Sequence, residues 1–208
     1  MKVAYFAESS ADEAALKILI EAILGRKTEP VIHAGLRHRG WPTVRTVLRS
    51  VLLELHYHTD AEGFVFIVDS NSSPAHSNAH ADSPDQKCRL CQLQRIITDV
   101  QHQFRPIPNR LPLKIALGLA VPAIEAWLLC GVDPHVTEAA WFNGMKTGQM
   151  PYSKPGLKEK VYGTTHPSLA IETEAMKTAA TRLAADLSGL RNLFPVGFGN
   201  LHTNLSEW

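Results

Sequence analysis

Hydrophobic and polar positions follow two alternating periods along the first 131 residues. Four runs, VAYFA (3–7), VIHAG (31–35), FVFIV (64–68) and LKIALGLAV (113–121), are nearly continuous in apolar residues. That is the pattern of strands buried on both faces of a parallel sheet. Between the runs, apolar residues recur at helical spacing. Leu16, Leu19, Ile20, Ile23 and Leu24 mark a first helix, opening at the capping-box spacing of Ser10 and Glu13 and stopping at Gly25. Val44, Val47, Leu48, Val51, Leu52 and Leu55 mark a second, and Leu90, Leu93, Ile97, Val100 and Phe104 a third. Pro122 suits the first turn of a fourth, PAIEAWLLC. The order β-α-β-α-β-α-β-α predicts an α/β fold, an open parallel sheet of about four strands with helices on both faces.

Beyond Gly131 the pattern weakens. Residues 145–168 are rich in Gly, Pro and Lys and read as loop with one short helix, and residues 171–190 read as a last helix. The expected organisation is an α/β domain over 1–131 with an insertion at 70–91. A loop-rich, helical C-terminal extension over 132–208 packs on it. No internal repeat or low-complexity tract is visible.

Composition narrows the picture. The 208 residues are 45% apolar and 20% charged, as in ordinary globular domains, and the formal net charge is +1. No broad basic field therefore announces a nucleic-acid partner, and any such binding must come from a local patch. No apolar run reaches the ~18 residues of a membrane span, and MKVAYFAESS has too short an apolar run for a secretory signal. The expectation is a cytoplasmic protein without membrane contact. In that setting Cys-x-x-Cys points to a metal or redox site rather than a structural disulfide. Cys130, within AWLLC, reads as a small buried apolar residue.

Ligands of open parallel sheets bind outside the carboxyl ends of the strands. Just past those ends stand Glu8, residues 33–39, Asp69 and, slightly into a helix, Glu125. Acids from separate strand ends can converge on one hard cation, because Mg²⁺ takes oxygen ligands and keeps several waters. Asn71 supplies a further oxygen if the chain is still extended there. Taken singly, Glu8 also reads as a helix-start acid and Asp69 as a turn residue.

The elements AYFAESSADEAAL and FVFIVDSN resemble a Toprim domain, the metal-binding fold of topoisomerases, primases and OLD nucleases. VPAIEAWLLCGVDP, KPGLKEKVYG and SGLRNLFPVGFGNL resemble a family of short Toprim-like proteins encoded near ATPases in bacterial defence loci. The resemblance implies a metal-dependent nuclease or related phosphodiester-cleaving enzyme using Mg²⁺ or Mn²⁺. Glu8 would serve in acid/base chemistry or metal binding, and Asp69 would hold the metal. Asn71 stands where the pattern has a second acid, a departure that removes one charge. Glu125 is the expected replacement carboxylate, and Asp12 is another. The implied partners are nucleic acid and an ATPase. The second reading is a catalytically inactive subunit of the same fold that binds an ATPase or nucleic acid.

His76, His80, Cys88 and Cys91 form H-x3-H-x7-C-x2-C. Imidazole and thiolate suit Zn²⁺, and both pair spacings are those of tetrahedral structural sites. The bland alternative is a polar loop with two free cysteines. The soft and hard ligands are expected to form separate sites, with zinc ordering the loop that walls the acidic crevice. Arg37 and Arg39 (beside His38) are candidate phosphate ligands at the mouth of that crevice. Lys154, Lys158 and Lys160 form a second basic group, the usual reading of which is a solvated face. Neither a G-x-x-x-x-G-K-[ST] nor a G-x-S-x-G motif occurs.

Overall fold

Four parallel strands build the sheet: β1 (Lys2–Phe6), β2 (Glu29–Pro30), β3 (Gly63–Asp69) and β4 (Lys114–Ala120), in the order β2-β1-β3-β4. The computed structural model describes residues 1–32, 41–77 and 79–208. Register fixes where the strands end. Phe6 lies opposite Phe66, so Glu8, two residues on, comes level with the end of β3, while Asp69 lies opposite Ala120.

Side chains alternate across the sheet and feed two cores. Val3, Tyr5, Val65 and Ile67 face one cluster, which is closed by α1 (Ser10–Leu24), α8 (Leu169–Leu183) and α10 (Asn200–Ser206). Ala4, Phe6, Phe64 and Phe66 face the other, beneath α2 (Trp41–His58) and α4 (Arg89–Gln101). Each fully buried Leu or Ile, such as Leu16, Leu19, Ile20 and Leu52, contributes roughly 1.5–3 kcal/mol of transfer free energy. The C-terminal residues therefore complete the core: Met176, Ala180, Leu183 and Leu201 are buried against the same cluster as Val3.

The remaining helices are α3 (Ala79–Asp82), α5 (Ile124–Leu128), α6 (Glu138–Thr147), α7 (Lys154–Tyr162) and α9 (Leu187–Leu193), with a π-helical turn at Pro195–Gly199. Among the described residues, no helix is long and apolar enough to cross a membrane.

Four boundaries differ from the sequence expectation. The second strand falls at Glu29–Pro30, earlier than 31–35, and Val31 N still donates to Val3 O; residues 33–35 lie outside the described residues. An edge position suits Pro30, which has no N–H to give a further neighbour. The capping box is Ser9 with Asp12, one residue before the expected pair, and both reciprocal bonds form (Asp12 N to Ser9 Oγ, 3.0 Å; Ser9 N to Asp12 Oδ2, 2.7 Å). Pro122 precedes the α5 cap, Ala123, instead of occupying the first turn. The expected last helix is two, because the Asp186 carboxylate accepts from Gly189 N (2.9 Å) and starts α9.

Candidate functional site

Glu8, Asp69 and Glu125 gather at the carboxyl end of the sheet. Glu8 Oε1 accepts a bond from Asp69 N at 3.3 Å, so the first acid reaches across to the end of the neighbouring strand. Asp12 joins them, because its capping role holds it in the first turn of α1, 8% exposed. Burial, then the Asp69 and Glu125 charges, push the Asp12 carboxyl up to about 8. Burial also raises Asp69, helped by Glu8 and Glu125 and opposed by Lys154. Four carboxyl groups thus share one crevice, and burial together with their mutual repulsion favours the protonated forms of Asp12 and Asp69.

Basic side chains come in from the C-terminal half and from α4. Lys154 Nζ donates to Asp69 Oδ2 (2.6 Å) and to Asn71 Oδ1 (2.7 Å). Asn71 is in the left-handed region (φ 50°), which Asn tolerates better than most residues, and its N–H donates to Pro122 O. Lys158 Nζ stands 3.8 Å from Glu125 Oε1, to which the Tyr162 hydroxyl also donates (3.2 Å). Glu125 is therefore held by α7 side chains rather than acting as a helix cap. Arg89 Nη1 donates to Asp69 O at 2.6 Å, and its guanidinium lies over the Trp41 ring. Its charge sits beside those of Glu8 and Asp69.

The expectation of a solvated face for the three lysines is corrected for two of them: Lys154 and Lys158 turn into the crevice. Lys160 pairs with Asp133 at 2.5 Å. The reason is the α7 cap. Ser153 Oγ accepts from Gly156 N, which starts the helix there and places Lys154 and Lys158, four apart, on one side. Arg37 and Arg39 lie outside the described residues.

His76, His80, Cys88 and Cys91 come together beside this crevice. One ligand atom from each lies within 4.8 Å of every other. His76 Nδ1 is 3.6 Å from Cys88 Sγ and 3.5 Å from Cys91 Sγ, and His80 Nδ1 is 3.4 Å from Cys91 Sγ. Metal–ligand bonds of about 2.3 Å to sulfur and 2.1 Å to nitrogen, at a tetrahedral angle, put S and N about 3.6 Å apart. The spacing therefore fits a zinc-like ion, and the cluster can hold one. Burial lowers the His76 imidazole, helped by His80, which favours the neutral ligand form, and burial raises the Cys88 thiol. Metal binding to the Cys88 sulfur must therefore displace its proton. The loop is built for the approach: Cys88 caps α4, so Cys91 falls one turn on, and α3 carries His80 with its N–H on Ser77 O.

No family model, curated protein or solved structure matches the chain. The Toprim resemblance accordingly rests on the residues that carry it. Sequence reasoning missed Arg89, whose target lies 20 residues earlier, and Tyr162, whose partner lies 37 earlier; no local pattern encodes either contact. The adjacency of Arg89 to Cys88 was the one available signal.

Proposed function

We propose that the chain is a metal-dependent, phosphodiester-cleaving enzyme of Toprim type acting on nucleic acid, with a structural Zn²⁺ at His76, His80, Cys88 and Cys91. The observation that carries it is the meeting of Glu8 and Asp69 at adjacent strand ends, in a crevice that also holds Asp12 and Glu125. Glu8, Asp69 and the Asn71 amide oxygen suit a hard cation, Mg²⁺ or Mn²⁺, and Glu125 adds charge close by. Such an ion activates water and neutralises charge on a scissile phosphate. Asp12 keeps its proton at neutral pH and leaves the cation to the other acids. Arg89, Lys154 and Lys158 are donors for the phosphate oxygens. An ATPase partner in a cytoplasmic defence system accords with the resemblance.

Lys154 favours the second reading. Its ammonium already bridges Asp69 and Asn71, as a cation would, and this suits a catalytically inactive subunit that binds an ATPase or nucleic acid. Incubation with plasmid, single-stranded DNA and RNA separates the two. The nuclease reading expects cleavage that requires Mg²⁺ or Mn²⁺ and falls at least a hundredfold in Asp69→Asn with thermal stability retained. Intact substrates under both metals, or equal cleavage by Asp69→Asn, would overturn it.

A further inference from the structure

The sheet has an open edge at β4, and a groove runs along it. In the parallel ladder Lys114 N donates to Glu62 O and Ser70 N to Ala120 O, so residues 114, 116, 118 and 120 turn their backbone groups toward β3. Ile115, Leu117 and Leu119 turn theirs the other way. At Leu119 the π-helical turn closes the edge: a Cβ on Gly197 would come within 2.1 Å of Leu119 O. At Ile115 and Leu117, among the described residues, no partner covers the outward N–H and C=O groups. These four groups repeat every two residues, about 6.6 Å apart.

Those residues form the floor of a cavity of about 560 Å³. One wall is α4, through Gln94, Thr98 and Gln101; the other is α10, through Asn200, Thr203 and Asn204. The far end abuts His76 and Ser77 of the metal-binding loop. The walls carry amides and hydroxyls and no formal charge. Natural sheet edges are usually blocked by a charge, a proline or a bulge; β4 carries a charge at its first residue, Lys114, whereas residues 115–117 have none of the three.

We infer that this groove is a docking site for an extended segment of a partner protein, about four residues long and with uncharged side chains, which adds to β4 as a fifth strand. An extended polypeptide is the ligand whose own donors and acceptors repeat at the spacing of Ile115 and Leu117. The charge-free walls accept neutral polar and small aliphatic side chains, whereas a buried Lys, Arg, Asp or Glu would lose hydration without finding a counter-charge. The outward groups of Ile115 and Leu117 stand two residues apart, so a segment of about four residues reaches both, and its alternate side chains meet the flanking helices.

The test uses the full chain and capped, fluorescein-labelled hexapeptide mixtures built from Thr, Val, Asn, Gln, Ser and Ala, read by anisotropy. Wild-type protein should bind at least one neutral mixture saturably. Binding should fall at least tenfold when alternate peptide nitrogens are methylated, because that deletes the donors that meet β4. Ile115→Pro removes an outward N–H and spares the ladder to β3, so it should weaken binding at least tenfold. Thr203→Glu, which changes a wall and leaves the sheet alone, should do the same should the proline variant fail to fold. Absence of saturable binding to every neutral mixture, or equal binding by both variants, would overturn the inference. So would a wild-type dimer that Ile115→Pro abolishes, since the edge would then belong to a second copy of this chain.

Discussion

Glu138 offers a measurable link between a single proton and the stability of the C-terminal packing. It is 2% exposed, and its carboxylate accepts bonds from Val196 N (2.8 Å) and Gly197 N (3.0 Å), holding the π-helical turn against β4. Burial outweighs those two bonds and raises the carboxyl from 4.5 to about 7. Between those values the unfolded chain has released its proton and the native chain retains it. The native state binds more protons, so stability falls as pH rises through this window. The shift from 4.5 to about 7 is 2.5 units, and at 1.36 kcal/mol each it amounts to about 3 kcal/mol. Glu138→Gln cannot titrate. It keeps one acceptor and leaves one buried N–H without a partner, a pH-independent cost of about 1–3 kcal/mol. The level of stability is therefore ambiguous and the slope is not. Urea unfolding at several pH values, followed by tryptophan fluorescence, should show the wild type's advantage over the variant shrinking by about 3 kcal/mol from pH 4.5 to 7.5. The subtraction removes the contributions of Asp12 and Asp69, which both chains share. A difference that stays constant across that range would refute the reasoning.

Protein purified without added metal should carry one zinc per chain by elemental analysis, and Cys88→Ser should lose it. On chelation, amide hydrogen exchange should rise first in residues 70–77 and 79–91 while β1 and β3 stay protected; uniform exchange throughout the chain would contradict a local role. Gly197→Ala should destabilise the fold by about 3 kcal/mol, since the added methyl would meet the Leu119 carbonyl at 2.1 Å and neither backbone can yield cheaply. An unchanged midpoint of unfolding would show that the turn does not press on β4 as described.

The strands and most helices were legible in the chain because burial on two faces and on one face leave different periods. FVFIV became β3 and LKIALGLAV β4 within a residue or two, and the Leu16–Leu19–Ile20 stripe became the buried side of α1. The His/Cys spacing was likewise local, and the four ligands do converge. What periodicity could not decide was where weakly patterned segments stop: Asp186 split one expected helix by capping the next, and Ser9 displaced Ser10 as the cap of α1. The crevice lay further out of reach. Glu8 and Asp69 were suggested by the ends of their strands, but β1 and β3 become neighbours only through the sheet order. Lys154 arrives from 85 residues away, Tyr162 from beyond the last strand, and Arg89 from behind the His/Cys loop. A sequence states which groups can be charged or can ligate. Which of them share one low-dielectric space, and so shift and pair with each other, is settled by chain topology and packing.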